Sequence, residues 1–227
     1  MLRWRAFSLT MKRHVFITGG TGYMGSRLIP QLAQRGHSVT ALVRNGSQAK
    51  LPPGAKAVVG DALKTDSYAA AVRGQDTFVH LIGVSHPSPA KAKEFRSIDL
   101  VSAQVALKAA KDAGVQHFIY LSVAQPASMM REYVAVRAEC EAMIRASGLR
   151  ATFVRPWYVL GPGHRWPYVL LPMYWLCERL SWTRDGARRL GLVTLSKMLA
   201  TLVWALENPP DGIRVLDVPR IREPEAA

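Results

Sequence analysis

The feature that most constrains the fold is a glycine-rich turn between a short strand-like run and a helical pattern. Residues 14–18 read HVFIT, residues 19–25 read GGTGYMG, and a second run rich in β-branched residues follows at 38–43. A helical pattern at 22–35 connects the two runs. Two strands joined through a helix pair in parallel, because the crossover returns the chain to the starting edge of the sheet. The segment therefore predicts a βαβ unit.

The same alternation continues along most of the chain. Further strands are predicted at 57–59, 77–82, 117–121, 151–154 and 214–218, and further helices at 65–72, 95–113, 131–147 and 196–207. This alternation indicates an α/β fold, and we expect a Rossmann-like doubly wound parallel sheet. A single domain is expected over 13–227, with 156–227 contributing a small C-terminal substrate or lid region. A disordered N-terminal extension is expected at 1–12.

Each glycine of the turn has a physical role in binding phosphate. Gly19 permits a tight exit from the strand, Gly22 lets the backbone approach a pyrophosphate, and Gly25 lets the helix pack closely on the sheet. The first N–H groups of the helix then face the phosphates with the positive end of the helix dipole. A purely structural turn is the alternative. Because the turn follows a strand and opens a helix in the first βαβ unit, we expect it to bind a dinucleotide.

Arg44 follows the second predicted strand, at a place that distinguishes between dinucleotides. An acidic residue there would bind the ribose 2′-hydroxyl of NAD(H), whereas an arginine accommodates the 2′-phosphate of NADP(H). No Asp or Glu occurs between residues 19 and 60. We therefore expect NADP(H) to be favoured over NAD(H), and the alternative for Arg44 is a solvated loop cation.

Six motifs together resemble the short-chain dehydrogenase/reductase superfamily in its extended and atypical branches. These branches include proteins similar to epimerases and dehydratases, and proteins similar to the NADPH-binding accessory subunit of respiratory complex I. They are TGGTGYMG at 18–25, GDAL at 60–63, HLIG at 80–83, YLS at 120–122, Y-x-x-x-R at 133–137 and RPWYVLGPG at 155–163. The resemblance implies that Asp61 and Ala62 lie near the adenine and that 81–83 pass the ribose and nicotinamide. The full set of expected cofactor contacts is Gly19, Gly20, Thr21, Gly22, Tyr23, Met24, Gly25, Arg44, Asp61, Ala62, Leu81, Ile82, Gly83 and Pro156.

The resemblance also implies a catalytic tyrosine on the predicted helix at 131–147. In this superfamily the tyrosine transfers the proton, while a lysine four residues later makes it more acidic and holds the nicotinamide ribose. Here the tyrosine is Tyr133, and Arg137 takes the place of the lysine, which is not a conservative exchange at a geometrically demanding site. Ser122, with Ser128 as a substitute, is the expected secondary hydroxyl donor. The alternative for Ser122 is a strand-end serine that caps backbone groups.

A helical projection indicates where Arg137 points. At about 100° per residue, one side of the helix carries Tyr133, Arg137, Cys140 and Ile144. Arg137 is therefore expected on a buried stripe, where an unpaired charge is costly. A cofactor, a substrate or a carboxylate could be its partner. Alternatively, its long side chain could reach past the helix edge to solvent.

Charge and cysteine content limit the partners. The net charge of +14 comes from 30 Lys and Arg against 16 Asp and Glu, and it creates a field that attracts polyanions. The basic residues are dispersed and match no nucleic-acid motif, so we do not expect nucleic acid as a partner. Cys140 and Cys177 have no metal-ligand spacing, which indicates a reducing compartment and no metal site. A cytoplasmic protein is expected.

A last stretch at 164–182 is rich in tryptophan, tyrosine and arginine. Its apolar run covers about half of the ~20 residues that a membrane span needs, so no transmembrane segment is expected. A lid packed on the core, an apolar substrate pocket and an interfacial helix all fit this composition.

Two functions therefore stay open. One is an NADP(H)-dependent oxidoreductase for a small, apolar carbonyl or quinone-like substrate, and the other is a non-catalytic NADP(H)-binding module that associates with a protein partner or a membrane surface.

Overall fold

Seven parallel strands form the central sheet of the computed structural model, which describes residues 11–85, 87–163 and 184–223 together with Trp175 and Arg179. These strands are β1 (His14–Thr18), β2 (Ser38–Val43), β3 (Ala55–Val59), β4 (Thr77–His80), β5 (His117–Leu121), β6 (Ala151–Val154) and β9 (Ile213–Leu216). Their order across the sheet is β3-β2-β1-β4-β5-β6-β9. The order reverses between β1 and β4, which is where doubly wound sheets open a crevice at the carboxyl ends of their strands.

Two shorter strands, β7 (Tyr158–Leu160) and β8 (Leu192–Thr194), pair in parallel outside the main sheet. The helices are α1 (Gly25–Gln34), α2 (Ala69–Val72), α3 (Ala92–Glu94), α4 (Val101–Asp112), α5 (Arg131–Ala146), α6 (Arg184–Arg189), α7 (Leu195–Glu207) and α8 (Val218–Arg222). A π-helical segment, Phe95–Leu100, joins α3 to α4. Short 3₁₀ turns lie at Gln48–Lys50, Thr65–Ser67 and Pro89–Lys91.

Helices cover both faces of the sheet. Val15 and Ile17 of β1 pack in the core under α1 and α7. Phe16, which lies between them, packs in the opposite core under α4 and α5. This split follows from the alternation of side chains along a strand. The predicted Rossmann-like doubly wound parallel sheet is therefore confirmed.

The predicted elements are present, with differences at their ends. β4 ends at His80 instead of residue 82, and the helix predicted at 65–72 divides into a 3₁₀ turn and α2. The strand predicted at 214–218 was wrong at its carboxyl end, because Val218 begins α8. The Asp217 side chain accepts a hydrogen bond from the Arg220 N–H, and Pro219 lies in the first turn. Both residues favour the start of a helix.

Two predicted regions lie mainly outside the described residues: the N-terminal extension at 1–12 and the aromatic stretch at 164–182. Within the described part of the chain, every helix is too short or too polar to cross a membrane. In the region 156–227, β9 pairs with β6 at the sheet edge and α7 packs against α1. These two elements therefore belong to the main sheet and its core.

Two buried histidines have a strongly lowered pKa. Burial lowers the pKa of His117 to about 3, and the positive charges of Arg214, Arg13 and Arg150 act in the same direction. Burial also lowers the pKa of His80 to about 3, with a smaller contribution from the charge of an arginine on α5. Both rings are therefore neutral in the folded protein at pH values where an unfolded histidine becomes protonated.

Acidification below pH ~6.5 is expected to destabilise the fold through these histidines. Their stabilisation is complete above the unfolded pKa and is lost as the pH falls towards the folded pKa, because the unfolded state then binds more protons. Each histidine contributes a slope of about 1.4 kcal/mol per pH unit. Denaturant unfolding measures the free energy of unfolding between pH ~6.5 and ~5. This free energy should depend less steeply on pH in His117→Gln than in the wild type. The exposed His14→Gln variant is the matched control, and equal slopes in both variants would contradict the prediction.

Candidate functional site

The glycine-rich turn has the geometry that its sequence predicts. Gly19 has a φ of +81°, which favours glycine, and its carbonyl accepts a hydrogen bond of 3.0 Å from the Gly22 N–H. Because the turn occupies the preceding residues, α1 begins at Gly25 instead of at the predicted residue 22. A Cβ atom at Gly25 would collide with the Gly19 carbonyl oxygen and lie 2.6 Å from the Gly20 Cα atom. Gly25 therefore lets the helix approach the turn, and through it the end of β1.

A cleft of about 520 Å³ adjoins this turn at the carboxyl edge of the sheet. Most of the predicted site residues line it: Gly19, Gly22, Tyr23, Met24, Gly25, Leu81, Gly83, Ser122, Tyr133, Arg137 and Pro156. The other walls are mainly apolar and include Val84, Met130, Trp157 and Val159. One cleft thus joins the phosphate-binding turn to the residues expected to act on a substrate.

The remaining predicted residues lie around this cleft without lining it. Gly20 is buried, and a Cβ atom there would lie 3.0 Å from the Cβ atom of Ala41. Thr21 belongs to the turn itself, and Ile82 follows β4. Gly20 is therefore explained by packing against the sheet.

Three predicted adenosine contacts lie at the ends of neighbouring strands. Arg44 directly follows β2 and is exposed, while Asp61 and Ala62 follow β3. β2 is the neighbour of β1, with Leu42 in register with Thr18. All three residues therefore lie at the same sheet edge as the glycine turn.

Arg137 is buried, with 4% of its surface exposed. Its Nη2 atom lies 3.0 Å from Asp99 Oδ2. Its Nη1 atom donates to the Leu121 carbonyl at 2.8 Å and to the Tyr120 hydroxyl at 3.2 Å. The Ile82 carbonyl lies 3.5 Å from both terminal nitrogens. The predicted buried position is confirmed, and the alternative of a side chain that reaches solvent was wrong. Of the partners considered, the structure has the carboxylate.

Asp99 was missed by sequence reasoning. It is 1% exposed and lies in the π-helical segment. Its Oδ1 atom accepts a hydrogen bond of 2.8 Å from the Val84 N–H. Burial raises the pKa of Asp99, while the guanidinium of Arg137 and the Val84 N–H oppose that rise. A signal was available, because Asp99 lies four residues after Phe95 and four before Ala103, on the buried stripe of the helical pattern.

Gly83 gives the Arg137 side chain its space. A Cβ atom at Gly83 would collide with Nη2 of Arg137 and lie 3.8 Å from Asp99 Oδ1. The guanidinium cannot move away easily, because its hydrogen bonds hold it to the ends of β4 and β5. Glycine at this position is thus required by the buried ion pair.

Tyr133 is half-buried and lies next to the ion pair. Its ring centroid is 5.0 Å from that of Phe95. The guanidinium carbon of Arg137 is 5.2 Å from the Tyr133 ring centroid, in a cation–π contact. Arg137 therefore places positive charge against the aromatic ring, while its terminal N–H groups bond to other partners.

Ser122 is buried at the cleft, and its hydroxyl donates to Oε1 of Glu141 at 2.6 Å. Glu141 is also buried and forms an ion pair with Arg155. Glu141 was not predicted as a site residue, although it lies four residues after Arg137 on the same side of α5. The substitute hydroxyl, Ser128, is exposed and does not line the cleft.

Comparison with known proteins identifies what this arrangement is similar to. The sequence model of a family described as NAD(P)H-binding matches residues 19–167. A 4-hydroxy-2-methyl-3-oxo-4-farnesyl-3,4-dihydroquinoline-1-oxide ketoreductase of Stigmatella aurantiaca is 24% identical over 219 residues, which cover 87% of this chain and 65% of that protein. An uncharacterized sugar epimerase of Bacillus subtilis is 32% identical over 152 residues, which cover 63% of this chain and 70% of that protein.

Solved structures share the fold. The structure of MoeE5 in complex with UDP-glucuronic acid and NAD matches with a TM-score of 0.67 at 20% identity, covering 92% of this chain and 79% of that one. The chain spans 31% to 65% of the length of the first three curated relatives that it matches.

Proposed function

The chain belongs to the NAD(P)H-binding family, and we propose that it is an NADP(H)-dependent oxidoreductase of the short-chain dehydrogenase/reductase type that acts on a small, apolar carbonyl or quinone-like substrate. The observation that carries this proposal is the single cleft shared by the glycine turn and Tyr133. The ketoreductase of Stigmatella aurantiaca, whose name describes a farnesylated oxo compound, supports the apolar carbonyl class.

The residues of the turn fit a dinucleotide. Gly22 is exposed and has only the Gly19 carbonyl oxygen near the position of a Cβ atom, at 3.1 Å, so a pyrophosphate can approach the backbone closely. The N–H groups of Ser26 and Arg27 already bond to the carbonyls of Gly22 and Met24, so the N–H groups ahead of them, at the start of α1 and in the turn, are the ones that would meet phosphate oxygens. The nicotinamide, when bound, supplies or accepts the hydride.

The chain's own residues then handle the proton and the solvent. Tyr133 donates the phenolic proton to the substrate oxygen during reduction and recovers it from solvent afterwards. The apolar walls formed by Val84, Met130, Trp157 and Val159 offer an apolar substrate a surface to pack against. Arg137 holds the ends of β4 and β5 in place and contributes its charge beside the Tyr133 ring.

Arg44→Ala is expected to remove most of the preference for NADPH over NADH. An arginine that bonds a phosphate contributes a charge-assisted hydrogen bond, so NADPH affinity should fall about tenfold to a hundredfold while NADH affinity changes little. Calorimetric titration with both dinucleotides measures this difference. The matched control is Arg73→Ala, which removes an equal charge ahead of β4, at the opposite edge of the sheet. Equal affinity of the wild type for NADPH and NADH would contradict the assignment.

A turnover screen tests the reaction itself. Purified protein with NADPH should reduce at least one member of a panel of apolar ketones and quinones. The loss of NADPH absorbance measures the reaction. Polar sugars of similar size are the comparison set, because several hydroxyl groups placed against apolar walls would lose their hydrogen bonds to water. A complete absence of turnover with every ketone and quinone would contradict the proposed reaction.

A second candidate function is a non-catalytic NADP(H)-binding module that associates with a protein partner or a membrane surface through 164–182. The contacts of Arg137 support this second function. Its terminal N–H groups, which could otherwise reach a ribose, are hydrogen-bonded to Asp99 and to backbone carbonyls. Such a module should retain its nucleotide through purification and lose stability when the nucleotide is removed. Native mass spectrometry and thermal unfolding of the stripped protein measure both properties.

A further inference from the structure

Glu141 is the centre of a buried hydrogen-bonded cluster beside the cleft. Its carboxylate is buried, and the residue is 2% exposed. Oε1 accepts hydrogen bonds from Ser122 Oγ at 2.6 Å, from Gln125 Nε2 at 2.8 Å and from Arg155 Nε at 2.8 Å. Oε2 pairs with Nη2 of Arg155. The cluster thus joins α5 to the residues that follow β5 and β6.

The charges of the cluster determine where the Ser122 proton lies. Arg155 bonds to both carboxylate oxygens, so Glu141 is ionised and can only accept hydrogen bonds. Ser122 must therefore donate its single hydroxyl proton to Glu141. Towards the cleft, which Ser122 lines, its oxygen offers only lone pairs. A carbonyl oxygen placed against it would gain no hydrogen bond.

We propose that Glu141 is a positioning residue that fixes Ser122 as a hydrogen-bond acceptor for an O–H or N–H donor on the bound ligand. This inference rests on the proposed function and assigns Ser122 a role opposite to that of a secondary donor. The donor group belongs either to the carboxamide of the nicotinamide or to a substrate that carries a hydroxyl or amide N–H. In both cases the site selects ligands by a donor next to the reacting position, while Tyr133 remains the proton source.

Two ligand pairs distinguish the sources of the donor. The first pair is NADP⁺ and its acetylpyridine analogue, in which a methyl ketone replaces the carboxamide and removes the N–H donor. The second pair is δ-valerolactam and δ-valerolactone, which differ by a ring N–H against a ring oxygen. Affinities are measured by NMR or calorimetric titration, the second pair both with and without saturating NADP⁺. No turnover is required.

Ser122→Ala should weaken the donor-bearing member of one pair by about fivefold and leave the donor-free member unchanged. An effect on NADP⁺ assigns the donor to the cofactor, and an effect on the lactam assigns it to the substrate. Ser122→Thr keeps the hydroxyl and should preserve the wild-type ratios. Equal affinities for both members in both pairs, in wild type and Ser122→Ala alike, would overturn the proposal.

A paired substitution tests the part played by Glu141. Changing Glu141 to Leu together with Arg155 to Met removes the buried pair without leaving either of its ions alone, and it frees the Ser122 proton to turn towards the cleft. Arg145, whose Nη2 lies 3.8 Å from Oε2 of Glu141, has an exposed side chain and stays solvated. The preference for the donor-bearing ligand should disappear, or reverse because the freed hydroxyl can then donate to the donor-free ligand, and adding Ser122→Ala should abolish any such reversal. Thermal unfolding confirms that the double variant is folded. An unchanged preference in a folded double variant would exclude a positioning role for Glu141. If the wild type binds no dinucleotide, the proposed function fails, while the lactam pair without NADP⁺ still tests Ser122.

Discussion

Asp99→Leu is expected to lower the free energy of unfolding by about 3–5 kcal/mol, because it leaves the Arg137 guanidinium buried without its carboxylate. Both side chains are almost fully buried, at 4% and 0% exposure. Asp99 also accepts the Val84 N–H, which would lose its partner in the variant. Chemical denaturation with matched m-values measures the change.

A double variant separates the cost of an unpaired charge from the value of the pair itself. Asp99→Leu combined with Arg137→Met removes both ions, and most of the lost stability should return, since a buried ion pair is often replaceable by apolar groups. Glu139→Leu breaks the exposed pair between Arg96 and Glu139 on α5 and should change stability little. A single Asp99→Leu variant as stable as Glu139→Leu would show that Arg137 has another partner.

The parts of the fold that follow local periodicity were predictable. Alternating apolar residues in β1 divide between two cores, and the glycines of the turn identify the first crossover. These features depend on residues close together in the chain. Right-handed crossovers fix the face that each helix covers once the strand order is known, but parallel pairing alone does not fix that order.

The partners of charged residues were not predictable in the same way. The helical projection placed Arg137 on the buried side of α5, but Asp99 lies 38 residues earlier, in a π-helical segment that local propensity does not indicate. Glu141 was missed although it shares the side of Arg137, because a glutamate is rarely buried unless it is paired. Its partner, Arg155, lies beyond the next strand. Only the packed structure brings these pairs together.

Tyr133→Phe is expected to reduce kcat by about a hundredfold to ten-thousandfold, the range typical of losing a general acid. The variant keeps the aromatic ring, so its contacts with Phe95 and with the guanidinium of Arg137 remain. NADPH affinity should therefore stay close to that of the wild type. Steady-state kinetics with the best substrate of the carbonyl screen and calorimetric titration with NADPH measure the two quantities separately.

Tyr158→Phe is the matched control, because Tyr158 lines the same cleft and loses the same hydroxyl. It should keep kcat within about threefold, as expected for a residue that makes no proton transfer. A near-wild-type kcat in Tyr133→Phe would show that another group donates the proton, and it would remove the main argument for catalysis. If Tyr133→Phe loses kcat while Asp99→Leu/Arg137→Met retains it, then turnover needs neither the charge of Arg137 nor its bonds to the strand ends, and the tyrosine functions without the compact ammonium that a lysine would supply.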